Sequence, residues 1–107
     1  MPTESALDAL RALAQESRLA AFRQLVQAGS AGLSVGELRD RIGIPAATLS
    51  AHLNQLRSAG LVSDVREGRV IRVRADVARM NALLAYLSEN CTASASAGVV
   101  DQGAEDR

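Results

Sequence analysis

The sequence predicts a mainly α-helical fold with one small β-hairpin, in the order α-α-α-α-β-β-α. Three observations carry this. Apolar residues recur at helical spacing in five separate segments, the period drops from 3.6 to about 2 only after Gly60, and 107 residues suffice for one small domain but not two. Phe22 and Tyr86 are the only aromatics and there is no Trp, so a monomer's core would be thin and built from Leu, Val, Ile and Ala. Dimerisation is therefore expected before any motif is read.

The first helix follows from Leu7, Leu10 and Leu13 at helical spacing, with Ser5 and Asp8 placed as a capping box. A second is expected from Ser17, with Leu19, Phe22, Leu25 and Val26 inward and Gly29 as its stop. Ser30 to Gly32 reads as a loop. Ser34-Val35-Gly36-Glu37 is a capping box that opens a third helix, whose buried stripe is Val35, Leu38 and Ile42. Gly43-Ile44-Pro45 makes a tight turn, because glycine closes a helix in the left-handed region and proline sits only at or before the next start.

A fourth helix then spans about Ala46 to Ala59, with Leu49, Leu53 and Leu56 inward. Around the wheel lie Ala47, Thr48, Ser50, Ala51, His52, Asn54 and Gln55. Small side chains alternating with hydrogen-bonding ones allow a helix to approach another surface closely while reading it. Leu61 to Arg66 and Arg69 to Arg74 read as hairpin strands around Glu67-Gly68, with Arg66 and Arg69 flanking the tip, and with Arg72 and Arg74 opposite Ile71 and Val73. Asp76 caps a last helix whose stripe is Val77, Met80, Leu83, Leu84 and Leu87, ending near Asn90. Residues 1–91 are thus one domain, and residues 92–107, with no packing stripe, read as a mobile tail.

All twelve basic residues are Arg and are balanced by twelve acidic ones. Neutrality argues against a uniformly basic coat, but Arg39 to Arg79 holds eight Arg against Asp40, Asp64, Glu67 and Asp76, a local excess that can form one basic face. A single cysteine excludes an intramolecular disulfide framework and suits the cytoplasm. No run reaches the roughly 18 apolar residues of a membrane span, and the N-terminus carries no leader pattern.

Helices joined by a Gly-containing turn, the second with a polar reading face, followed by an Arg-bearing hairpin, make a winged helix-turn-helix. Such a domain fits double-stranded DNA, with Ala47, Thr48, Ser50, Ala51, His52, Gln55, Arg57, Arg66, Arg69 and Arg72 as the candidate contacts: Thr48, Ser50 and Gln55 as reading residues, His52 to a base or a phosphate, and Arg66 and Arg69 to phosphates. No Ser/His/Asp set and no Gly-rich phosphate loop suggests an enzyme. A protein-interaction module that only dimerises is the rival, disfavoured by Arg72 and Arg74.

The stretch Leu33 to Val62, with Leu33-Ser34-Val35, Gly43-Ile44, Thr48-Leu49-Ser50-Ala51-His52-Leu53 and Ala59-Gly60-Leu61-Val62, followed by Arg66-Glu67-Gly68-Arg69, resembles the ArsR/SmtB family of metal-responsive repressors. The resemblance covers about Leu7 to Cys91. It implies a homodimer joined through the first and last helices, with Leu7, Leu10, Leu83, Leu84 and Leu87 at the interface, and release from operator DNA by a metal or metalloid. Ser34-Val35-Gly36-Glu37-Leu38 stands where many relatives carry the Cys-Val-Cys-Asp-Leu arsenic site, and Asp76-Val77-Ala78 lacks the histidine of the zinc site. Ala85-Tyr86-Leu87-Ser88-Glu89-Asn90-Cys91 is similar to a third subgroup that binds arsenite through cysteines at the end of the last helix, although Thr92 replaces the second cysteine. The resemblance thus implies derepression by arsenite or antimonite at Cys91, with no resident cofactor; a different effector, or none, is the alternative.

Overall fold

The computed structural model describes residues 1–91, so the expected tail at 92–107 lies outside the described residues. Five helices and three short strands follow one another as α1 (Thr3–Leu13), α2 (Glu16–Ala28), a single 3₁₀ turn (Gly29–Ala31), β1 (Leu33–Ser34), α3 (Val35–Ile42), α4 (Ala46–Ser58), β2 (Val62–Glu67), β3 (Val70–Ala75) and α5 (Val77–Ser88). No helix among the described residues is long and apolar enough to cross a membrane.

Two helix starts differ from the sequence reading. α1 begins at Thr3 behind Pro2, whose fixed φ of −66° pre-sets the entry, so Ser5 lies inside the helix and caps nothing. α2 is capped by Gln15, whose Oε1 accepts from the Arg18 amide at 2.8 Å, two residues before the expected Ser17. The α3 capping box forms as expected: the Glu37 amide donates to Ser34 Oγ at 3.1 Å and the Ser34 amide to Glu37 Oε1 at 2.9 Å. Gly43 then closes α3 with φ 67°, and α5 is capped by Asp76, which accepts from the Arg79 amide at 2.9 Å.

The hairpin closes one residue later than expected. Glu67 pairs with Val70, which leaves Gly68 and Arg69 as the two turn residues. Only Gly68 has a positive φ (63°), as a type II′ turn requires, so Arg69 stands at the tip rather than in a strand. The hairpin is also not alone. β1 pairs antiparallel with β3 (Leu33 with Val73, Ser34 with Arg72), giving a three-stranded sheet in the order β1-β3-β2. This ladder ties the wing to the start of α3.

One apolar cluster fills the centre, with Leu25, Leu38, Leu49, Leu53, Leu56, Leu61 and Val73 fully enclosed. Its composition corrects two expectations, Leu19 inward on α2 and Leu83 at the interface. α1 turns Ala6, Ala9 and Ala12 inward, which lets neighbouring helices approach closely, and leaves Leu7 (42%) and Leu10 (39%) exposed. On α2, Leu19 is exposed while Ala21, Phe22 and Leu25 are buried. Of the α5 stripe only Leu83 is buried, at 4%, in the chain's own core; Leu84 and Leu87 are each 56% exposed.

Candidate nucleic-acid interface

The geometry of α4 follows from its ends and its leucines. Pro45 occupies the N-cap, and Leu49, Leu53 and Leu56 are locked in the core at spacings of four and three, so the opposite arc must face outward. Ala47, Thr48, Ser50, Ala51 and Gln55 are all exposed, as the sequence reading requires of a surface that meets a groove. Gln55 also borders an open groove between α1 and α4, alongside Asp8, Arg11, Asn54 and Ser58. His52 stands at the edge of this arc, half-buried, with Nδ1 3.4 Å from Arg18 Nη1.

The arginines expected at the DNA divide into two pairs. Arg66 and Arg69 are exposed near and at the hairpin tip, and neither has a hydrogen-bond or ion-pair partner among the described residues. Their guanidinium forks are therefore available to an external anion. The structure corrects the expectation of a free Arg72. Its Nε donates to Ala31 O at 2.8 Å and its Nη2 to Gly32 O at 3.1 Å and Glu37 Oε1 at 3.2 Å. The β1–β3 register places Arg72 beside Ser34, so its side chain runs back over the sheet edge to the α3 capping box. Arg57 is also engaged, with Nε and Nη2 each 3.1 Å from Asp64 Oδ1 and Nη1 donating to Asn54 Oδ1 at 2.9 Å, which ties the end of α4 to β2.

Glu37 shows the consequence of its position. The Ser34 backbone amide does most to stabilise the carboxylate; desolvation, next in size, opposes it, and the Arg72 charge adds to the amide, so the pKa is held below the ordinary value of 4.5. Sequence reasoning missed Arg72 as a clamp because its partners lie 35 to 41 residues away.

The last expected site residue, Cys91, is exposed and unpaired, beyond the end of α5. Among the described residues there is no group of three or more His, Cys, Asp or Glu that could hold a metal ion.

Comparison with known proteins agrees with this geometry. A family model described as a helix-turn-helix domain matches residues 13–65. The chain is similar to an ArsR-like transcriptional regulator from Rhodococcus sp. RHA1, with 32% identity over 85% of this chain and 82% of that one and a TM-score of 0.72. It is similar to a homodimeric winged helix-turn-helix DNA-binding domain from Mycobacterium bovis, a possible ArsR-family regulator (30% identity, 89% and 88% coverage, TM-score 0.64). A third similar structure is the transcriptional repressor BigR from Xylella fastidiosa (32% identity, 80% and 86% coverage, TM-score 0.60). No curated protein matches the chain. The fold, the exposed α4 face and these relatives define a winged helix-turn-helix regulator. The chain belongs to the ArsR family of transcriptional regulators.

Proposed function

We propose that this chain is a homodimeric transcriptional repressor that lays α4 of each subunit in a major groove of operator DNA, with Arg66 and Arg69 of each wing on flanking phosphates. One observation carries the reading: the small, hydrogen-bonding arc of α4 is exposed along its length while the leucine stripe behind it is sealed in the core. A helix with that face meets base edges without bulk. The dimer is supported by Leu7, Leu10, Leu84 and Leu87, exposed on α1 and α5. These helices are held together by a hydrogen bond between the Thr3 and Tyr86 hydroxyls. The Mycobacterium bovis relative is itself a homodimer. Leu83 is already buried behind this surface, so it supports α5 rather than offering a free face.

Binding to duplex DNA across a salt series tests the reading. If each subunit neutralises ~2 phosphates, through Arg66 and Arg69, log K falls against log salt with a slope of about −3.6 for the dimer. A slope near zero removes the claim. Operator binding assigns the protein to the cytoplasm.

For the effector, release by arsenite or antimonite at Cys91 is the reading that the resemblance favours. A soft trivalent metalloid is retained by several thiolates, and one subunit offers one, so the others would come from the partner subunit's Cys91 or from free thiol. The single cysteine of the sequence, with Ser34, Gly36 and Thr92 where relatives carry thiols, favours a second reading, a repressor with a different effector or none. Arsenite titration of the DNA complexes of the native chain and of Cys91→Ser separates them. Release confined to the native chain supports the metalloid, and identical unresponsive curves exclude it.

A further inference from the structure

Arg18, on α2 and outside the expected reading face, is held at the corner between α1 and α2. Its Nε donates to Ala12 O at 2.7 Å and its Nη2 lies 3.5 Å from Arg11 O, while its own amide donates to Gln15 Oε1 at 2.8 Å. The Ala12 and Arg11 carbonyls are among the last four of α1, which lack partners within the helix and form the negative end of its dipole, where a cation is favoured. Anchored there, the guanidinium turns Nη1 to His52 Nδ1 at 3.4 Å, across a sequence separation of 34 residues.

We infer that Arg18 is a positioning residue for DNA reading, which fixes His52 on α4 as a hydrogen-bond donor to DNA. A guanidinium has donors only, so in this contact Nδ1 accepts, and the single proton of a neutral imidazole is then carried by Nε2. Thr48 and Gln55 lie four residues before and three after His52, on the same edge of α4. A donor on that edge selects acceptors: guanine N7 or O6, adenine N7 or thymine O4 in the major groove, or a phosphate oxygen beside it. The inference rests on the DNA-binding reading and adds to it a residue that never touches DNA. Because the guanidinium takes its place from carbonyls of α1, the His52 ring is also tied to a helix of the proposed dimer contact.

A double-mutant cycle on the full chain tests this. The native chain first selects a preferred duplex from a randomised library. Dissociation constants on that duplex and on a scrambled one are then measured for the native chain, Arg18→Gln, Arg18→Lys, His52→Ala and the two double variants, with melting curves for each. Arg18→Gln is expected to weaken binding by about three- to tenfold, and Arg18→Lys, which keeps a donor and a charge but not the fork, by less. Both losses are expected to vanish in the His52→Ala background. Loss on the preferred duplex alone assigns a base edge to His52, and equal loss on both assigns a phosphate; either agrees with the inference. Arg18 substitutions that cost the same with and without His52 overturn it. The Lys variant decides the outcome should the Gln variant melt early. Failure of the broader reading is distinguishable, since the native chain would then bind neither duplex.

Discussion

Arg72→Ala distinguishes a clamp from a phosphate contact at one position. The side chain is 23% exposed and gives two hydrogen bonds to backbone carbonyls, at 2.8 and 3.1 Å, and an ion pair to the half-exposed Glu37. Charged donors to fully buried acceptors are worth roughly 1.5–3 kcal/mol each, whereas exposed ion pairs contribute about 0–1 kcal/mol. Here water reaches part of the cluster, so truncation is expected to cost about 1–2 kcal/mol in all. For a domain of this size that lowers Tm by roughly 5–10 °C. DNA affinity falls as well, because the wing loses its tie to α3, but no phosphate contact is removed, so the salt slope stays as in the native chain. Arg69→Ala should do the reverse. It leaves Tm unchanged and makes the slope shallower by about 1.8 per dimer, one phosphate per subunit. Melting by circular dichroism and anisotropy titrations over a salt series measure both quantities. An Arg72→Ala chain that melts like the native one and loses about 1.8 from the slope would refute the clamp.

Other consequences follow from packing and charge. Gly32 has a φ of +67°, and a Cβ there would lie 2.4 Å from Val73 O, so Gly32→Ala is expected to cost at least ~2 kcal/mol, seen as a lower urea midpoint. Because Glu37 is held below its ordinary 4.5, its contribution to stability is present above that value and is lost as pH falls through the lower folded value. Urea midpoints taken from about pH 5 to about pH 3 should therefore fall more steeply for the native chain than for Glu37→Gln. Leu87→Glu places a charge on the exposed α5 stripe in both subunits. At ~1.5–3 kcal/mol per buried leucine it should weaken the dimer about a hundredfold or more, read by sedimentation, with helix content retained.

What the sequence revealed depends on how local each signal is. The α3 capping box, the Gly43 stop and the inward leucines of α4 are set within a few residues of chain, and they are found as read. β1 is two residues long and carries no period, so its pairing with β3 had no sequence signature. The hairpin register slipped by one because a glycine serves either position of a two-residue turn, and only the ladder partners decide. On α1 the leucine spacing announced the helix but not its packing, which uses Ala6, Ala9 and Ala12 and leaves Leu7 and Leu10 outside, where an interface would need them. The exposed arc of α4 was legible for the same reason as its core stripe. The engagement of Arg57 and Arg72 was not, because it depends on strands and carbonyls brought together only by the tertiary fold.

The central claim, that the exposed arc of α4 lies against bases in two grooves at once, is tested most directly by cleavage from that arc. Ser50→Cys in a Cys91→Ser background, linked through its thiol to an iron chelate that cuts nearby DNA, should cut the preferred duplex in two clusters. Their centres should be separated by one or a few helical turns, each of about 10.5 base pairs. Retained binding with no cleavage from position 50, or with one cluster only, would contradict it.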